Sequence, residues 1–132
     1  MKAEIKQFYL DDYRGEKYWP EDAANFCAIA DMNIGIQGHE GGDNFVLTIC
    51  SPKWFEDNVL KPPRSHVSHE QVCKPAFGRH FLFMEYFNPD EIESTIFDLV
   101  TNAEGKDWGD VARYLARFFA WEFEDYSSGV AT

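Results

Sequence analysis

The chain has 132 residues, 45% apolar and 17% aromatic, and a formal charge of −11 from 12 basic and 23 acidic residues. That length suits a single domain over 1–132 whose rings can build a core without disulfides, and no run approaches the roughly 20 apolar residues of a membrane span. The charge argues against nucleic acid and anionic membranes as partners, since both demand cationic surface.

Residues 3–10 alternate partly and are rich in Ile, Phe and Tyr, which predicts a first strand. The charged stretch 11–20 reads as a loop whose Trp19 docks on the core, and Pro20-Glu21-Asp22 suits a single helical turn. Residues 25–37 place Phe26, Ala28, Ala30, Met32, Ile34 and Ile36 on one face of a second strand. The turn-forming residues 38–43 and the run 44–50 then complete an antiparallel hairpin. Ser51 is placed to cap a helix reaching Val59, with Pro52 at its first position.

Residues 60–77 hold Pro62, Pro63 and Pro75 and form the longest irregular stretch; within it, Ser68 and Gln71 fit a capping box for a brief helix ending near Cys73. The β-prone run 79–87 is expected as a central strand. Asn88-Pro89 opens a helix to about Ala103 with Ile92, Ile96, Leu99 and Val100 inward, ended by Gly105. The last helix, 108–119, turns Trp108, Val111, Ala112, Leu115, Phe118 and Phe119 to the core. After it the period changes. Trp121 and Phe123 alternate with Glu122 and Glu124, so an extended segment would point rings inward and carboxylates outward. Strands followed by helices indicate an α+β fold: an antiparallel sheet of about four strands with two C-terminal helices packed on one face.

Residues 85–126 contain 11 acids against 3 bases, a net of −8. The candidate partner-binding residues are therefore Glu122, Glu124 and Asp125, with Asp107 and Asp110 on the outer face of the preceding helix. A negative patch there favours a basic protein partner and speeds its capture. His66, His69, Glu70 and Cys73 are the most metal-like group, with His69 and Cys73 at helical i, i+4 spacing, but a closed zinc site needs a fourth ligand and no second cluster accompanies them. No metal or cofactor is expected. The glycines of 35–42 precede a strand rather than a helix, and Glu40 and Asp43 would repel phosphate, so the loop is a turn and not a phosphate cradle. Cys27 and Cys50 lie in apolar strands, and no paired carboxylates or triad stand out, so catalytic residues are not expected either. Three cysteines without a CxxC, behind an N-terminus lacking signal-peptide features, read as reduced thiols in a cytoplasmic protein.

The pieces Trp19-Pro20-Glu21-Asp22 with Phe26, Ile34-Gly35, and Gly41 through Phe45 are followed by Ile49-Cys50-Ser51-Pro52-Lys53-Trp54. Then come Phe77-Gly78-Arg79-His80, Glu85-Tyr86, Trp108, and a terminal Trp121-Glu122-Phe123-Glu124-Asp125-Tyr126. In this order they resemble the immunity protein 8 family of bacterial polymorphic toxin systems. The resemblance implies a cytoplasmic protein that protects its own cell by binding the C-terminal domain of a toxin encoded beside it, with no catalytic residues. Two other readings compete: an acidic interaction module without a toxin partner, and a small metal-dependent enzyme built on the His66–Cys73 group.

Overall fold

Alternation of apolar and polar side chains decides the first half of the fold. The computed structural model describes residues 1–11, 17–61 and 75–124. Strands β1 (Ala3–Leu10), β2 (Cys27–Ile36) and β3 (Asp43–Cys50) form an antiparallel meander, with Cys27 opposite Cys50 and Ile34 opposite Asp43. Phe26, Ala28, Ala30, Met32 and Ile34 are buried as the alternation predicts, and Phe45, Leu47 and Ile49 lie on the same inward face. The hairpin loop needs its glycines. Gly41 has φ +82, a region that L side chains rarely adopt, and a Cβ on Gly35 would run into the Gly41 carbonyl oxygen.

Ser51 links this sheet to the next element. Its side chain is fully buried, and its Oγ accepts from the Phe26 N–H and the Trp54 N–H, each at 3.2 Å. Ser51 thus caps α1 (Pro52–Phe55) while tying it to the start of β2. The predicted helix to Val59 continues as a π-helical turn, Glu56–Leu60, closed by Lys61 N–H donating to the Glu56 carbonyl. The brief helix expected near Ser68 and Gln71 lies outside the described residues.

The run 79–87 is not a central antiparallel strand. Only β4 (Phe81–Phe83) joins the sheet, parallel to the C-terminal half of β3. The free edge of β3 is divided between two short strands: β4 pairs with Thr48–Cys50, and β5 (Ala120–Trp121) pairs antiparallel with Phe45 and Val46. His80, at φ +62, precedes β4, and beyond Met84 the chain turns away so that Phe87 N–H bonds to the Ala23 carbonyl. β-propensity located the strand but could not specify its length or direction.

Two helices cover the inward face. Asn88 caps α2 (Pro89–Thr101) through the Asp90 and Glu91 N–H groups, and Asp107 caps α3 (Trp108–Leu115) through the Asp110 N–H. They bury Ile92, Ile96 and Val100, and Val111, Ala112 and Leu115, in the core shared with β1–β3. Phe97 of α2 also meets Phe8 of β1 edge-on at 5.6 Å. Leu99, expected inward, is only partly buried at its margin. α3 ends four residues short of Phe119. There Arg117 N–H and Phe118 N–H bond to the Tyr114 and Leu115 carbonyls, three residues back, and this tightening rotates the face. Phe119 is buried, whereas Phe118, predicted inward, is 40% exposed.

Replacing Ser51 by Ala would strip acceptors from two backbone N–H groups, one of them in the core, and should cost about 1–3 kcal/mol. A urea melt within about 0.5 kcal/mol of wild type would show that the two bonds contribute nothing.

Candidate functional site

Four of the five acids singled out by the sequence have partners within the fold. Asp107 is the α3 cap, and Asp110 accepts from Lys106 N–H at 3.2 Å while pairing with Arg113 at 2.8 Å. Glu122 accepts from the Asn44 N–H at 2.8 Å and returns its own N–H to the Asn44 carbonyl. Asp125 lies outside the described residues, as do Tyr126 and the His66, His69, Glu70 and Cys73 group.

The outward row of carboxylates does not form along 121–124. β5 stops at Trp121, and Glu124 N–H turns back to the Trp121 carbonyl. Phe123, expected inward, is 42% exposed and packs edge-on to Trp121, while the Glu124 side chain is turned in at 15% exposure. Glu124 pairs with Arg79, and its Oε1 lies 3.4 Å from His80 Nε2, which also meets the Ala116 carbonyl at 3.0 Å. Arg79, Arg113 and Arg117 share a shallow pocket with Trp121 and Glu124. This end of the molecule therefore carries mixed charge. A net count along the sequence could not reveal it, because Arg79 arrives from before β4.

Sequence reasoning missed a second convergence. One carboxylate oxygen of Asp43 accepts both the Trp108 indole N–H, at 2.7 Å, and the Trp121 indole N–H, at 3.0 Å. The Trp121 ring stacks on Phe45 at 6.3 Å and 11°, and Trp108 meets the same Phe45 edge-on. Asp43 had read only as a turn residue. A usable signal was present, since partly buried indole N–H groups require acceptors.

Two concavities stand out on the surface. The larger, about 610 Å³, runs between α2, the end of α3 and the approach to β4. Its walls include Leu99, Tyr114, Phe118 and Phe81, and Arg79 and Arg117 also line it. The second, about 490 Å³, is walled by Tyr18, Trp19 and Trp54 with Glu21 and Asp22. There Tyr18 and Trp19 pack edge-on to buried Phe87, and the Tyr18 hydroxyl donates to the Cys27 carbonyl at 3.4 Å. Burial, with the Asp11 charge behind it, pushes the Tyr18 hydroxyl up from its ordinary range and keeps it protonated as a donor. Neither described thiol is primed as a nucleophile. Burial pushes the Cys50 thiol up to about 11, and burial with the Asp11 charge also raises Cys27. Among the described residues no three His, Cys, Asp or Glu side chains converge to hold a metal ion, and no helix is long and apolar enough to cross a membrane.

Fold and surface together define a small acidic α+β domain, with its sheet covered by two C-terminal helices and with open concavities at its margins. A family model described as Immunity protein 8 matches residues 3–126 of the 132, and the chain belongs to that family. It is an immunity protein of toxin systems by this membership. No curated protein and no solved structure matches it significantly.

Asp43→Ala should leave two indole N–H groups without an acceptor, each costing about 1–3 kcal/mol. Asp43→Asn, which keeps an acceptor oxygen, should cost less, and Trp108→Ala and Trp121→Ala should also lower the melting temperature. Equal losses for Asp43→Ala and Asp43→Asn in denaturant melts would remove the indole bonds from the account.

Proposed function

We propose that the protein neutralises a cognate toxin by stoichiometric binding of the toxin's C-terminal domain in the cytoplasm, as a non-catalytic inhibitor in a polymorphic toxin or contact-dependent inhibition system. The observation that carries this reading is the family match across 3–126. The charge of −11 supports a basic partner. A nuclease domain fits that description well, because its substrate-binding cleft is cationic and an acidic inhibitor can occupy it.

Within this reading Glu122, Glu124, Asp125, Asp107 and Asp110 act as steering charge. Four of them already hold internal bonds, so their part is the long-range field that raises the association rate rather than the close fit that sets dissociation.

Co-expression with the C-terminal domain encoded next door should rescue growth, and the purified pair should form a one-to-one complex. Cells that stay poisoned, or a protein that restores growth without binding, would overturn the proposal. The association rate of the complex should fall as salt shortens the Debye length from about 10 Å at 0.1 M to about 3 Å at 1 M. Glu122→Gln should slow association at low salt while leaving dissociation unchanged. Stopped-flow rates indifferent to salt would remove the steering role.

A further inference from the structure

We infer that the aromatic basin around Trp19 is the seat for a Lys or Arg side chain of the toxin domain, an assignment that rests on the reading of the chain as a toxin-binding immunity protein. Trp19 is 67% exposed. An indole left this open in the free protein is the kind of ring that becomes a binding anchor once covered. Trp19 does not stand alone. Tyr18 and Trp54 wall the same basin of about 490 Å³, and Glu21 and Asp22 line it. Among the described residues its lining carries no Lys or Arg, although Lys17 and Lys53 adjoin Tyr18 and Trp54 in sequence.

Three aromatic rings beside two carboxylates suit a cation. An aliphatic chain can lie along the rings while its charged head meets the carboxylates and the ring faces. A purely apolar anchor would leave those carboxylates to be desolvated without compensation. The larger cleft by α2 and α3 fits a basic partner less well, because Arg79 and Arg117 line it against one carboxylate, Asp98, and Arg117 lies over the Tyr114 ring at 5.8 Å.

The basin is also held before any partner arrives. Trp54 follows the Ser51 cap on α1, whose Oγ is fixed by Phe26 and Trp54 N–H groups. Tyr18 and Trp19 both rest on Phe87, itself anchored by Phe87 N–H to the Ala23 carbonyl. Asp22 is set by an Ala24 N–H bond at 2.9 Å, and Glu21 is exposed with no ion pair among the described residues. Walls fixed in advance lose little entropy on binding.

The test measures dissociation of the full chain from the toxin domain encoded beside it, for wild type, Trp19→Ala, Glu21→Lys and Glu93→Lys. Glu93 is an exposed acid on α2 that does not line the basin, so it carries the same charge change elsewhere. Trp19→Ala and Glu21→Lys should each weaken Kd about tenfold or more, chiefly through faster dissociation, whereas Glu93→Lys should leave dissociation unchanged. Should Trp19→Ala melt early through loss of the Phe87 contact, Glu21→Lys at a surface position decides alone. Folded Trp19→Ala and Glu21→Lys that dissociate at the wild-type rate overturn the basin, as does Glu93→Lys matching Glu21→Lys. A wild-type chain that fails to bind the toxin domain overturns the function itself and the basin with it, an outcome distinct from both.

Discussion

The carboxylate of Asp43 is the junction on which the C-terminal half of the fold depends. It opens β3, and a single oxygen receives the indole N–H of Trp108 from the start of α3 and that of Trp121 from β5. Three segments far apart in sequence are joined there. The two rings then flank Phe45, which is fully buried. A carboxylate suits this position because it is purely an acceptor, with lone pairs for both donors, where a neutral amide would spend half its polar atoms on donors that have no use here. Aromatic burial supplies the driving force at this end of the core, and the Asp43 acceptor makes that burial possible without stranding two polar N–H groups.

Once Asp43 has drawn β5 onto the first half of β3, the rest of that edge is open only at its second half. β4 takes it and runs parallel to β3, from which it is separated in sequence by α1 and the turn after it. The consequence is a meeting of the segments that flank the two short strands. Thr48 N–H bonds to the His80 carbonyl, and Arg79 and His80 before β4 face Glu124 after β5. His80 holds a left-handed φ of +62 at this point. The cost of that conformation is about 1–3 kcal/mol for a non-glycine residue, and the His80 ring it positions bonds to the Ala116 carbonyl.

Period and capping were the legible parts of this sequence. Alternation over Phe26 to Ile34, the Ser51-Pro52 and Asn88-Pro89 starts, and the spacing of Ile92, Ile96 and Val100 all state a local rule that the fold obeys. Pairing direction was not legible, since a run such as Phe81-Leu82-Phe83 is equally β-prone beside a parallel or an antiparallel neighbour. The end of α3 was misread because an i, i+3 tightening after Leu115 alters the face without altering the residue pattern. The alternation expected along 121–124 was lost for a different reason. Alternation in Trp121-Glu122-Phe123-Glu124 is the same in a strand and in a turn, and β5 stops beside the start of β3, where Asn44 receives the Glu122 N–H. The basin at Trp19 was half visible: its Trp-Pro-Glu-Asp sequence was noticed, but Trp54 joins it only through the Ser51 turn.

Charge therefore has two separable parts in this molecule. A field follows from the sum of charges and is nearly indifferent to which carboxylate supplies it, provided partner and protein are within a Debye length. Recognition at contact follows from a particular carboxylate with a particular geometry. In the proposed complex Glu122 and Glu124 belong to the first part, because one oxygen of each is already engaged, by Asn44 and by Arg79. Glu21 differs in having no such internal commitment among the described residues and in standing beside three aromatic walls. An acidic protein can draw in any basic domain. To hold one of them and release the others, it needs carboxylates that remain unpaired until the fitting cation arrives, set on a framework rigid enough to penalise a poor fit.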